Sequence, residues 1–214
     1  MGLTSSSTGT KLLNDNFHVL KNNYDFTITL AGNPNVGKST VFNGLTGMNQ
    51  HTGNWTGKTV SNAVGDCTYC AKKFLLVDIP GTYSMISHSK EEEIASAFIH
   101  SDVSDVTVVV VDATCLERNL NLVFQIMDTT PHVIVCVNLL DEAKKKKIKI
   151  DLNLLSDLLG VPVVGTTARK KKTLTNLLDT IYKVCTKEII ASPKRVMYDN
   201  DTPPDEIPTL IMKH

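Results

Sequence analysis

The chain has 214 residues, with 22 basic and 22 acidic side chains. That length accommodates one α/β domain with a hydrophobic core, and the zero net charge excludes a global basic field that would hold nucleic acid or an anionic membrane. The longest apolar runs are far shorter than the roughly 20 residues that span a bilayer, so the sequence predicts a soluble chain.

Apolar strand-like segments alternate with helical ones from Phe26 onwards. Six strands are predicted, at 26–31, 60–69, 73–78, 107–112, 133–138 and 161–164. Helices are predicted from Lys38 to just before Gly47 and at 89–100, 117–127, 152–159 and 174–185, with Ser89 opening the second. Residues 48–60, rich in Gly, Asn and Thr, are predicted to form a long loop. This alternation indicates an α/β fold with a mostly parallel six-stranded sheet covered on both faces.

The composition divides the chain into three parts. Residues 1–24 are polar and weakly patterned, which predicts a flexible N-terminal extension. Residues 25–188 are predicted to form a single domain. Four of the eight prolines fall within 189–214 among several acids, which is typical of a linker, or of the truncated start of a helical domain.

A phosphate-binding motif follows the first predicted strand. The residues GNPNVGKS (Gly32–Ser39) match G-x-x-x-x-G-K-[ST] and lie between a strand and a helix, as the motif requires. Its glycines let backbone N–H groups point at phosphate oxygens, and the following helix adds its positive end. Lys38 is predicted to reach the β- and γ-phosphates, and Ser39 to bind Mg²⁺. The motif predicts a three-layer P-loop NTPase of the Ras-like G-domain type.

Two further segments are predicted to complete the phosphate site. Asp78 and Gly81 form D-x-x-G at the end of the third strand. The acid there is predicted to hold Mg²⁺ through water, and the Gly81 N–H to meet the γ-phosphate. Thr59, in the long loop, is the predicted third Mg²⁺ contact when GTP is bound. An ordinary mobile loop is the alternative for that segment.

The base is predicted to be guanine. Asn138 and Asp141 form N-x-x-D after the fifth strand, at the sheet edge where open α/β sheets bind ligands. A carboxylate accepts from both N1–H and the exocyclic NH₂ of guanine, whereas adenine presents no such pair of donors. Asn138 is predicted to contact the base and tie loops together. The backbone at Thr167 and Ala168 is predicted to meet the guanine O6.

The run from Phe26 to Glu188 resembles the cytoplasmic G domain of the bacterial ferrous iron transport protein B (FeoB) family. The stretches that carry the resemblance are 31–43, 51–60, 78–84 and 138–143, with Asn-Trp-x-Gly at 54–57 the most family-specific. The resemblance implies a GTPase at the cytoplasmic face of the cell inner membrane, coupled to the permease region of a ferrous iron transporter. Thr56 stands where family members usually carry Pro, and neither the family's helical domain nor its membrane region is matched.

The resemblance also implies a K⁺ site. In related potassium-activated GTPases, an asparagine matching Asn35 helps hold K⁺ beside the phosphates, together with backbone carbonyls near Trp55. Thr82 follows D-x-x-G where Ras-like enzymes carry the water-orienting glutamine, and no cis arginine finger is apparent, so K⁺ could supply part of the missing charge.

The predicted catalytic residues are Lys38, Thr59, Gly81 and Asn35. The predicted nucleotide contacts are Gly32, Asn33, Pro34, Asn35, Val36, Gly37, Lys38, Ser39, Thr40, Asp78, Gly81, Asn138, Leu139, Asp141, Thr167 and Ala168. The predicted metal ligands are Ser39, Thr59 and Asp78 for Mg²⁺, and Asn35 and Trp55 for K⁺.

Other readings of the sequence remain open. A GTPase of ribosome or RNA assembly shares these motifs, but no RNA-binding module is apparent, and the lysine runs at 144–147 and 169–172 are typical of solvated faces, so no nucleic-acid partner is expected.

The pair Cys67 and Cys70 is predicted to lie in a β-hairpin rather than to bind metal, because C-x-x-C stands alone. The odd number of cysteines, five, favours a reducing cytoplasm. A homo-oligomer is compatible with the sequence.

Overall fold

The computed structural model describes residues 23–47, 50–53, 62–85, 90–101 and 103–194. The predictions for Trp55, Thr59 and Ser89, and for most of the two terminal segments, lie outside these residues.

The described residues form one sheet with helices on both faces. Its strands are β1 (Phe26–Gly32), β2 (Gln50–Gly53), β3 (Asn62–Tyr69), β4 (Lys72–Asp78), β5 (Val106–Asp112), β6 (Val133–Asn138) and β7 (Val163–Gly165). The helices are α1 (Lys38–Thr46), α2 (Lys90–Ile99), α3 (Leu116–Thr129), α4 (Leu140–Lys145), α5 (Leu152–Leu159) and α6 (Lys171–Cys185).

The strand order is β2-β3-β4-β1-β5-β6-β7. The run from β4 to β7 is parallel, and β2 and β3 are added antiparallel at one edge. The predicted α/β fold with a mostly parallel sheet is therefore confirmed. All six predicted strands are present, within a few residues of their predicted bounds.

The sheet has a seventh strand, β2, where a loop was predicted. Its sequence, QHTG, has no apolar alternation. Pairing with β3 forms it, from Gln50 opposite Gly65 to Gly53 opposite Asn62. Such a strand depends on its neighbour rather than on its own residues, which is why the local pattern did not predict it.

Helix α4 was also not predicted. It has six residues, with Asp141 and Glu142 in its first turn and Lys144 and Lys145 in its last, the arrangement that the helix dipole favours. Leu139 enters the helix with a φ of 62°, in the left-handed region. Because the helix is shorter than two turns, it carries no hydrophobic periodicity that a sequence could reveal.

Two apolar clusters fill the spaces between the sheet and its helices. The strands contribute to both clusters because successive side chains point to opposite faces: in β5, Val108 and Val110 face one cluster and Val109 and Val111 the other. Helices α1 and α6 cover the first face, and α2 to α5 cover the second. The three layers predicted from the sequence are thus confirmed.

None of the helices in the described part of the chain is both long and apolar enough to cross a bilayer.

Candidate nucleotide-binding site

The predicted site segments meet at one edge of the sheet. Gly32, Asp78 and Asn138 are the last residues of β1, β4 and β6. These strands run parallel, so their carboxyl ends lie on the same side of the molecule. Strand β5 lies between β1 and β6, so the ends of β1 and β6 are two strand spacings, roughly 10 Å, apart. A ligand along this edge can therefore meet polar groups from several strand ends.

The phosphate loop encloses a cleft of about 410 Å³. The cleft is lined by Asn33, Pro34, Asn35, Gly37, Lys38, Ser39, Thr40 and Gly81. Helix α1 begins directly after the loop, and Thr40 and Val41 both donate their N–H to the Gly37 carbonyl. The predicted loop and the D-x-x-G glycine therefore line one cavity.

Two loop positions require glycine for space as well as for conformation. A Cβ on Gly32 would lie 2.4 Å from the Val110 carbonyl oxygen, and one on Gly37 would lie 2.5 Å from Nδ2 of Asn138. Gly37 also has a φ of 82°, in the left-handed region that side chains rarely adopt. The motif glycines thus let the loop approach β5 and the N-x-x-D segment closely.

Lys38 and Asp78 form a buried ion pair. The Lys38 ammonium donates to the Asp78 carboxylate and, over 2.6 Å, to the Ile79 carbonyl. Ser39 Oγ lies 3.5 Å from the other Asp78 oxygen. Burial raises the pKa of the Asp78 carboxyl, and the charge and hydrogen bond of Lys38 oppose that rise. The sequence placed both residues at the phosphates but did not reveal their contact with each other.

Asn138 links three segments. Its side chain is 0% exposed, and Nδ2 donates to the Val36 carbonyl over 3.0 Å. Its Oδ1 accepts from the Ala168 N–H and from Oγ1 of Thr166, each at 3.1 Å. The amide thus ties the phosphate loop to the segment after β7.

Asp141 presents a buried acceptor without a partner. Within the described residues, three buried side-chain oxygens have no hydrogen-bond partner: Thr27 Oγ1, Asn33 Oδ1 and Asp141 Oδ1. Nearly all buried polar atoms in folded proteins are hydrogen-bonded, so such an atom calls for a specific explanation. Asp141 and Asn33 are both predicted site residues.

The segment after β7 differs in detail from its prediction. The Ala168 N–H already donates to Asn138, and the Thr167 N–H donates to Oγ1 of Thr173 over 3.2 Å. A guanine O6 would have to share the Ala168 donor. Thr166, which was not predicted, is fully buried and orients Asn138. Its place beside Thr167 was the only sequence signal, because the contact joins residues that are 28 positions apart in the chain.

A larger cleft of about 550 Å³ lies at the start of α3. It is lined by residues 113–118, Asn121 and 148–150, none of which is a predicted site residue. Its mixed apolar and charged lining includes neither a glycine-rich loop nor an unpartnered buried acceptor. The smaller cleft, at the phosphate loop, is therefore the better candidate for a nucleotide-binding site.

The prediction that Cys67 and Cys70 lie in a hairpin is confirmed. Cys67 is in β3, and Cys70 is in the turn that leads to β4. Burial raises the pKa of the Cys67 thiol to about 11, so it stays protonated at neutral pH. All five cysteines are free thiols. No cluster of three or more potential metal-ligating His, Cys, Asp or Glu side chains occurs in the described ranges.

Comparison with known proteins identifies the family. The family model described as ferrous iron transport protein B matches residues 26–181. The chain belongs to the FeoB family. The resemblance predicted from the sequence is confirmed. The Fe(2+) transporter FeoB of Salmonella typhimurium is 46% identical over 142 residues, which is 64% of this chain and 18% of that transporter. The chain thus matches less than a fifth of the length of the curated relatives.

Solved FeoB structures share the fold. The G domain of T. maritima FeoB is 37% identical, with a TM-score of 0.70, over 74% of this chain and 98% of that one. A mutant of S. thermophilus NFeoB bound to GDP is 36% identical, with a TM-score of 0.74, over 82% of this chain and 67% of that one. The FeoB-family chain described here accordingly has the P-loop GTPase fold.

Proposed function

We propose that this FeoB-family domain binds a guanine nucleotide and hydrolyses GTP with Mg²⁺, acting as a nucleotide switch for Fe(II) uptake across the membrane. One observation carries the guanine assignment: the buried, unpartnered Oδ1 of Asp141 at the same sheet edge as the phosphate loop. A guanine base offers the adjacent N1–H and NH₂ donors that would satisfy a carboxylate there, and adenine does not. The GDP-bound FeoB relative is consistent with this reading.

The phosphate end uses the charges of Lys38 and Asp78. For the Lys38 ammonium to bind the β- and γ-phosphates, it must turn away from Asp78 and the Ile79 carbonyl. That movement leaves the buried Asp78 carboxylate in need of another cation. Ser39, Asp78 and, from outside the described residues, Thr59 are the oxygen ligands expected for Mg²⁺. When bound, Mg²⁺ neutralises charge that develops on the β- and γ-phosphate oxygens.

Asn35 is proposed to help hold K⁺. It lines the phosphate cleft with an exposed side chain, and its φ of 67° is unusual for a residue with a Cβ. Asparagine tolerates this conformation and supplies a carbonyl oxygen, the ligand that K⁺ prefers. Thr82, after D-x-x-G, lacks the amide that orients water in Ras-like enzymes, so a cation at Asn35 would supply positive charge near the transferring phosphoryl group.

In Asn35→Ala, the factor by which K⁺ stimulates GTP turnover is expected to fall by roughly tenfold or more. The affinity for GDP is expected to stay close to that of the parent chain. Phosphate release would be measured with excess GTP and Mg²⁺ in K⁺ and in Na⁺. Asn176→Ala, an exposed asparagine on α6, is the matched control. Equal parent rates in the two salts would refute the K⁺ site, and no turnover in either salt would refute the GTPase assignment.

The switch in iron uptake needs a test in a whole transporter, because the chain matches only 18% of its relatives. The Escherichia coli Fe(2+) transporter FeoB is 45% identical over 142 residues. A chimera carrying this chain in place of that region is expected to restore Fe(II) uptake to cells without the transporter. The same chimera with Lys38→Ala is expected to show little uptake. Equal uptake by the two chimeras would contradict the nucleotide switch.

We place the domain on the cytoplasmic side of the membrane, in keeping with the T. maritima and L. pneumophila cytosolic domains.

The alternative function, in ribosome or RNA assembly, gains no support from the family match. Iron uptake therefore remains the proposal of choice.

A further inference from the structure

The segment after Gly81 is docked on helix α3. Gln125 Oε1 accepts two hydrogen bonds from it, from the Met85 N–H at 2.7 Å and from Ser84 Oγ at 3.1 Å. Two turns earlier on the same helix, the Arg118 guanidinium lies 4.8 Å from the centre of the Tyr83 ring. Two side chains of α3, two turns apart, thus contact three consecutive residues of this segment.

Helix α3 is a rigid support for these contacts. Eight of its residues are buried, and the seven apolar ones among them pack into the cluster on one face of the sheet. Met85 is partly buried against the same cluster. A side chain held by such a helix fixes its partner more firmly than one on a loop does.

The other end of the segment is held at the phosphate loop. The Ile79 and Thr82 N–H groups donate to the Leu30 and Gly32 carbonyls, each over 3.2 Å. A Cβ on Gly81 would lie 3.2 Å from the Pro34 Cα, so the backbones of the two loops are close neighbours. Gly81 therefore sits at the phosphate cleft because the segment is attached on both sides of it.

We propose that Gln125 is a positioning residue for the D-x-x-G loop: it fixes Ser84 and Met85 on α3 and thereby holds Gly81 where its N–H can meet the γ-phosphate. Arg118 supports this arrangement from the exposed side, through Tyr83. The role of Gln125 in turnover rests on the proposed GTPase function, and the anchoring of the loop does not. Gln125 acts through the loop and does not itself touch the nucleotide.

Two variants of Gln125 separate anchoring from simple packing. Gln125→Leu keeps the bulk of the side chain and removes the acceptor, whereas Gln125→Glu keeps an oxygen that accepts both hydrogen bonds. We expect kcat for GTP to fall about tenfold in the leucine variant and to stay within about twofold of the parent in the glutamate variant. The affinity for GDP, which has no γ-phosphate, is expected to change little. Asn121→Ala, one turn earlier on α3, is the matched control.

Amide hydrogen exchange gives a readout that does not depend on turnover. The Met85 amide is expected to exchange about tenfold faster in Gln125→Leu than in the parent, and at the parent rate in Gln125→Glu and Asn121→Ala. Unchanged exchange in Gln125→Leu would overturn the anchor even if the chain hydrolyses GTP. Faster exchange with an unchanged kcat would overturn the positioning role. If exchange is faster but the parent chain shows no GTP turnover, the positioning role is rejected together with the proposed function. The anchoring of the loop by Gln125 would still stand.

Discussion

Replacing Asp141 by asparagine is expected to change the preferred purine from guanine to xanthine. The carboxylate accepts from two donors of guanine, and the amide offers one acceptor and one donor, which suits the N1–H and O2 of xanthine. Asp141→Asn keeps one acceptor oxygen and loses the other, charged one. This loss weakens the free energy of GTP binding by about 3 kcal/mol, which is roughly a hundredfold in affinity. Competition titrations with GTP and xanthosine triphosphate would measure the change.

The structure offers a close control for this variant. Glu142 is the next residue on α4, and its carboxylate pairs with Lys145 at 2.8 Å on the surface. Glu142→Gln makes the same chemical change without touching the predicted base site, so it should leave the GTP preference intact. Because Asp141 Oδ1 has no partner within the described residues, Asp141→Asn loses only the favourable interaction of its charge with the start of α4, so the free energy of unfolding should fall by no more than about 1 kcal/mol. An Asp141→Asn chain that still prefers GTP would rule out the base contact.

Replacing Lys38 by alanine is expected to abolish tight GTP binding. The ammonium contributes hydrogen bonds to two charged phosphates, and losing them at about 1.5 kcal/mol each weakens binding by at least about a hundredfold. Isothermal titration with GTP would measure this. Lys72→Ala, which removes a lysine from an exposed pair with Asp25, is the control and should bind as the parent does.

The same variant also affects stability, and the pH dependence of that effect identifies its cause. Without Lys38, the buried Asp78 loses the charge that opposes its raised pKa, so that pKa rises further. A group whose pKa is higher in the folded state stabilises the fold at low pH and loses that contribution as pH rises through the folded pKa. The loss in free energy of unfolding that Lys38→Ala causes, relative to the parent chain, should therefore be smallest near pH 4. At neutral pH it should be about 3 kcal/mol.

A double variant separates folding from binding. Lys38→Ala with Asp78→Asn removes both charges, so most of the free energy of unfolding at neutral pH should return, without return of GTP affinity. Binding is compared only at temperatures where circular dichroism shows each variant to be folded. Recovery of GTP affinity in the double variant would mean that Lys38 acts on the fold alone.

Local patterns were sufficient to predict six of the seven strands of the sheet and the phosphate loop at its edge. The phosphate loop could be predicted because its chemistry requires particular residues at fixed spacing between a strand and a helix. Asp78, Asn138 and Asp141 could be placed because the ends of parallel strands share one edge. Strand β2 could not be predicted, because it forms through its pairing with β3 and not through a pattern in its own residues.

The contacts that shape the site join residues far apart in the chain. Asn138 and Val36 are separated by 102 residues, and Ser84 and Gln125 by 41. No periodicity or spacing encodes such pairs, which depend on how helices pack on the sheet. The sequence therefore predicted residues that meet at one sheet edge, but not that Lys38 pairs with Asp78, that Thr166 donates to Asn138, or that Gln125 accepts hydrogen bonds from Ser84 and Met85.

We propose that one sheet edge binds a triphosphate through Lys38 and a guanine base through Asp141. Displacement of a fluorescent GDP analogue from the unmodified chain in Mg²⁺, by GTP and by ATP in parallel, tests both halves at once. We expect GTP to displace the analogue at concentrations at least about a hundredfold lower than ATP, because ATP would leave the Asp141 carboxylate unsatisfied. Equal displacement by the two nucleotides, or none by either, would contradict it.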